Sequence, residues 1–190
     1  PTACFLMDCS GFLAKWLQDL KADQRDDGLV PHVIPWLPDY PVYGPLGVGG
    51  SSGWGDACIV VPWTLYRYYG DKRILDEMYG AMKKWVDFVQ RRSRGYIWNR
   101  GMHWGDWLEP GRKTYYYFLP WAPRGYVATP FFAHSCHLLS KIAKVLGKDD
   151  DAEYYRGLSE KVRAAYLKKY VKGNGRIRPS KQGAYVLALA

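Results

Sequence analysis

The chain has 190 residues, with 27 lysines and arginines against 18 aspartates and glutamates, for a net charge of +9. Aromatic residues make up 16% of it, including nine tryptophans and sixteen tyrosines, enough to build a real core and to exclude a disordered chain. No apolar run is long enough to span a membrane, and four cysteines without a CxxC pair form no disulfide framework.

In chain order, the first element predicted is a helix over 2–24, where Phe5, Leu6, Cys9, Leu13, Trp16, Leu17 and Leu20 recur on one stripe. A long segment rich in Pro and Gly follows over 25–55, and its Trp36, Tyr40 and Tyr43 argue for an ordered loop. The next helix, 56–69, carries an interior Pro62 that should kink it. After the tight turn Gly70-Asp71, with Asp71 able to cap, a helix over 72–93 aligns Ile74, Leu75, Met78, Met82, Trp85, Val86 and Val89. A second long segment spans 94–125. A helix over 127–146 then places Phe131, Leu138, Ile142 and Val145 in step. Gly147 ends it, and Asp149 or Asp150 is expected to cap the following helix, 151–171, with Tyr155, Leu158, Val162 and Ala165 in step. The run GNGRIRPS reads as a turn with a short extended piece, and 182–190 opens another helix.

Short and long connections therefore alternate. Helices joined by tight turns form antiparallel hairpins, so all the long connections fall at one end of the assembly. Six of the nine tryptophans lie in those connections: Trp36, Trp54, Trp98, Trp104, Trp107 and Trp121. A loop face so rich in indoles suits a ligand platform.

Two stretches there repeat Trp-Gly-Asp: SGWGDA around Trp54 and Asp56, and HWGDWLEP around Trp104 and Asp106. In the first, Asp56 reads as the N-cap of a helix with Trp54 folded over its first turn, or as a carboxylate for vicinal hydroxyls beside a ring stacked on Trp54. In the second, Asp106 and Glu109 stand three residues apart among His103, Trp104 and Trp107, flat apolar rings mixed with carboxylates as carbohydrate sites require. A catalytic role for Asp106 or Glu109 fits poorly, because a glycosidase's two carboxyls must flank the scissile bond. The substrate-binding candidates are Trp54, Asp56, His103, Trp104, Asp106 and Trp107. His134 and His137, three apart on a helix, read as core or rim histidines, and no metal or cofactor is expected. The densest basic clusters, Arg91, Arg92, Arg94 and Lys168, Lys169, Lys172, read as solvated helix faces, so neither nucleic acid nor a membrane is an expected partner.

The runs SGWGDACIVVPWTLYRYYGD, WGDWLEP, KIAKVLGKDDDAEYY and KQGAYVLALA, with LMDCSGFLAKWLQDLKADQRDDGLVPHVIP before them, resemble the catalytic domain of bacterial alpha-L-rhamnosidases over nearly the whole chain. The resemblance implies an all-α fold, a six-hairpin (α/α)6 barrel of which residues 1–190 make a single partial domain, about half. It also implies an inverting glycoside hydrolase that releases terminal alpha-L-rhamnose, with Trp54 and Trp107 packing on the sugar. The family's general acid and base would lie upstream of Pro1 and downstream of Ala190. This piece would then supply binding walls without the proton-transfer pair, would need the rest of the polypeptide, and would be inactive alone. The segment 113–124 is longer and more aromatic than in that family. Another six-hairpin glycosidase of the glucoamylase kind and a non-catalytic sugar-binding helical module remain alternatives. A reducing, cytoplasmic setting is expected from the unpaired cysteines.

Overall fold

The computed structural model of the chain describes residues 6–37, 49–104, 124–178 and 182–189. Helix α1 is Ser10–Asp23, α2 Ala57–Tyr69 and α3 Arg73–Arg91. The two-residue strands β1 (Ser93–Arg94) and β2 (Ile97–Trp98) follow, then α4 (Arg124–Val145), α5 (Asp149–Tyr170) and α6 (Gln182–Leu189). Among the described residues the fold is thus all-α apart from one short hairpin and two isolated bridges.

Two tight turns make the helical hairpins. Gly70 closes α2 in the left-handed conformation, its N–H bonded to the Tyr66 carbonyl. Asp71 then accepts the Arg73 N–H at 2.9 Å, although Lys72, and not the predicted Asp71, holds the cap position of α3. Between α4 and α5, Gly147 has a φ of 75° and its N–H reaches the Lys144 carbonyl. Helix α2 packs on α4 and α4 on α6, while α1 packs on α3. Helix α4 also packs on α5 and α3, and α2 on α3 and α1. The shared core holds Leu17 and Leu20 of α1, Ile59 of α2, Leu75, Met78, Met82 and Trp85 of α3, Phe132, Leu139 and Ile142 of α4, and Leu158 and Val162 of α5. Tyr79 of α3 donates to Asp151 of α5 at 2.7 Å, and Lys83 pairs with the same carboxylate.

Several local expectations are corrected. The predicted helix over 2–24 begins only at Ser10, because the Asp8 carboxylate takes both the backbone N–H and the hydroxyl of Ser10 and turns the chain there. The helix predicted to run to residue 93 stops at Arg91 and enters the β1–β2 hairpin, whose turn residues Gly95 and Tyr96 both have positive φ, as a two-residue hairpin turn requires. Neither Asp149 nor Asp150 caps α5: Lys148 holds the cap position, and the aspartates lie within the first turn, where the helix dipole favours them. The extended piece after α5 is a single bridge, Val171 to Ile177.

Candidate functional site

The connection before α2 and the one after β2 meet through two hydrogen bonds. The Ser52 N–H donates to His103 Nδ1 at 3.1 Å, and the Trp104 N–H donates to Ser51 Oγ at 3.1 Å. These rungs place the two Trp-Gly-Asp stretches side by side. Trp54 lies 6.0 Å from Trp104, ring centre to ring centre, at a tilt of 40°. Trp104 is buried, while Trp54 is 47% exposed. One indole is the support and the other presents the open face, and such a pair adds about 0.5–1.5 kcal/mol beyond burial.

The first triplet is explained residue by residue. A Cβ on Gly55 would stand 2.2 Å from the Trp85 ring, so only glycine lets that indole approach. Trp85, fully buried in α3, then donates its Nε1–H to Asp56 Oδ1 at 2.9 Å. Ser135 of α4 donates to the same oxygen at 2.7 Å, and the Gly53 N–H donates to Oδ2 at 2.7 Å. Asp56 occupies the cap position of α2, but its carboxylate makes no cap bond and turns inward. It is 2% exposed, and burial raises its pKa against the lowering effect of Ser135, Trp85 and Gly53. Asp56 thus ties the start of α2 to α3 and α4, two residues after Trp54. The same burial, with the Asp56 charge nearby, pushes the Cys58 and Cys136 thiols well up.

Trp54 borders a cleft of about 530 Å³ whose other walls include Trp16 and Leu20 of α1, His32, Ile34 and Phe131 of α4. His32 is a member the sequence reading passed over. It is 8% exposed, meets the Trp104 ring edge-on at 5.3 Å, and neither ring nitrogen has a hydrogen-bond partner among the described residues. Burial holds its pKa down at about 4, so the ring is neutral near pH 7. The available signal was a lone polar residue in the apolar run VPHVIP, between two prolines.

Of the predicted site residues, Trp54, Asp56, His103 and Trp104 converge here. His103 is 1% exposed and stands edge-on to Trp98 at 4.6 Å, so its ring belongs to the support rather than to the open face. Asp106, Trp107 and Glu109 lie outside the described residues, as does the segment 113–123. His134 and His137 line a separate cavity of about 140 Å³ with Arg163, between α4, α5 and α6. Among the described residues no three His, Cys, Asp or Glu side chains converge to hold a metal, and no helix is long and apolar enough to cross a membrane.

Helical hairpins, with the described parts of two connections meeting at Trp54 and Trp104, match the six-hairpin glycosidase class of fold. The sequence model described as the bacterial alpha-L-rhamnosidase 6 hairpin glycosidase domain matches residues 1–190, and the chain belongs to that family. It is 36% identical over its whole length to an alpha-L-rhamnosidase of Streptomyces avermitilis and to one of Formosa agariphila, covering 17% and 20% of them. A crystal structure of the Streptomyces avermitilis enzyme complexed with L-rhamnose superposes on 95% of this chain and 16% of its own, with a TM-score of 0.80 at 35% identity. The native enzyme of Aspergillus terreus superposes on 96% of this chain and 21% of its own, with a TM-score of 0.83 at 31% identity. The chain thus spans a fifth or less of the length of the curated relatives it matches.

Proposed function

We propose that this chain supplies one wall of the sugar site of an inverting alpha-L-rhamnosidase. The observation that carries the reading is the half-exposed Trp54 indole, held on the buried Trp104 at the rim of an apolar cleft. An indole face packs against the C–H face of a sugar ring, and a rigid one does so with little ordering cost. The Streptomyces avermitilis relative, crystallised with L-rhamnose, supports rhamnose as that sugar.

Inversion requires an acid that protonates the leaving oxygen and a base that activates water on the opposite face, their carboxyls ~6.5–9.5 Å apart. Asp56 is unsuited to either role, since Trp85, Ser135 and Gly53 already occupy its oxygens and it has no open face. The acid and base, as the family resemblance implies, come from the rest of the polypeptide. The chain's share of the work is to orient the ring and exclude water beside it. The buried thiols Cys58 and Cys136 support a reducing, cytoplasmic setting.

The test uses the complete polypeptide with aryl alpha-L-rhamnoside and aryl alpha-D-glucoside substrates. Hydrolysis of the rhamnoside, with beta-L-rhamnose as the first product by NMR, is expected. A Trp54→Ala variant is expected to raise KM about tenfold or more. Preference for the glucoside, or an alpha first product, would overturn the reading.

A further inference from the structure

His103 is among the predicted sugar contacts, yet its ring is buried and engaged on both sides. A backbone N–H can only donate, so the bond from Ser52 at 3.1 Å requires an unprotonated Nδ1. The Arg100 carbonyl can only accept, and it lies 3.3 Å from Nε2, the nitrogen that must then carry the proton. The edge-on contact with Trp98 at 4.6 Å fixes the plane of the ring, and Trp98 stands edge-on to Trp85 at 5.8 Å, the indole bonded to Asp56. The turn carrying Trp54 is therefore gripped at two points, Ser52 by His103 and Asp56 by Trp85. We propose that His103 is a positioning residue, fixed as the neutral Nε2–H tautomer, that sets the angle of the Trp54 indole by clamping the Ser51–Gly55 turn to the connection after β2.

The inference rests on the reading of Trp54 as the surface that meets the sugar. It differs from a general stabilising role in naming the atom that acts, Nδ1, and the side chain acted upon. Asparagine sets its Oδ1 where histidine has Nδ1, whereas glutamine reaches the place of Nε2, so the two amides separate the two nitrogens.

In the complete polypeptide, His103→Leu and His103→Gln should raise KM for an aryl alpha-L-rhamnoside about five- to tenfold with kcat within about twofold. His103→Asn should recover most of that loss. In a Trp54→Ala background, His103→Leu should change KM less than about twofold, since the clamp then has no indole to aim. A full effect in that background would overturn the proposal. So would an increase in KM from Trp54→Ala that His103→Leu does not share, which leaves the sugar-wall reading standing. If Trp54→Ala leaves KM unchanged, the sugar-wall reading falls and takes this inference with it. An arm that needs no variant to fold is ring ¹⁵N NMR of the wild-type protein. A neutral His103 protonated at Nε2 supports the clamp, and an Nδ1–H tautomer overturns it.

Discussion

Replacing Asp56 tests whether the first Trp-Gly-Asp triplet is a structural knot. Asp56→Ala removes the acceptor for three donors at once: the Trp85 indole N–H, the Ser135 hydroxyl and the Gly53 N–H. Trp85 and Ser135 are buried to within 1% exposure, so water cannot replace the lost oxygens without entering the core. Each orphaned donor costs about 1–3 kcal/mol, partly offset by no longer burying a carboxylate, for a net loss on the order of 3–6 kcal/mol. Against a typical domain stability of roughly 5–15 kcal/mol that is severe. Asp56→Asn is milder. Its carbonyl can stay at the Oδ1 place and keep Trp85 and Ser135, while its amide meets the Gly53 N–H donor to donor, a loss of about 1–2 kcal/mol. Urea unfolding of the complete polypeptide followed by tryptophan fluorescence gives the ordering wild type, Asn, Ala. An Ala variant within about 0.5 kcal/mol of wild type, or an Asn variant as weak as Ala, would refute the account.

Gly55→Ala should cost about 3 kcal/mol or more, because its Cβ would lie 2.2 Å from a Trp85 ring that Asp56 holds in place; a shift in the urea midpoint measures it. His32 refuses a proton in the folded state down to about pH 4, whereas the unfolded ring binds one below about 6.5. The unfolded chain therefore holds more protons across that window, and the His32 contribution to stability falls as pH drops from 6.5 to 4. Asp56, with its pKa raised, acts in the opposite sense, so the comparison is between proteins: melting of His32→Leu should fall less between pH 7 and pH 4.5 than melting of wild type. The 190-residue chain by itself exposes Leu6, Met7, Phe12 and Val186, the first two at 89% and 66%, and should self-associate and release no nitrophenol from an aryl rhamnoside. A reversible monomeric melt in ultracentrifuged material, or turnover, would count against this.

The helices were legible because burial follows a helical period. All seven α3 residues picked out on one stripe, from Ile74 to Val89, are buried in the core. The stripe of α1 failed only at its start, where Leu6 is exposed and Asp8 breaks the helix, an interaction with the next-but-one residue that hydrophobic spacing does not register. The β1–β2 hairpin stayed hidden because its turn places Tyr96 at a φ of 64°, a conformation usually signalled by Asn-Gly or Asp-Gly. At the site, connection lengths placed the two Trp-Gly-Asp stretches on one face, and the contact between Trp54 and Trp104 agrees with that, although the contact itself was not foreseen. The destination of the Asp56 carboxylate was not legible: its partners Trp85 and Ser135 lie 29 and 79 positions away, and no local pattern links them. His32 was missed for a related reason, since its importance comes from the ring and cleft it meets and not from its neighbours in sequence.

The pairing of indoles also has an optical consequence. Trp54 with Trp104 and Trp85 with Trp98 form two close couples, 6.0 and 5.8 Å between ring centres, at fixed tilts of 40° and 75°. At such separations the transition moments of two chromophores mix. Each couple then contributes a signed pair of bands to circular dichroism, one sensitive to the outer indole and one seated deep in the interior. Among the described residues the protein thus carries two intrinsic spectroscopic gauges of its own geometry, with no label added.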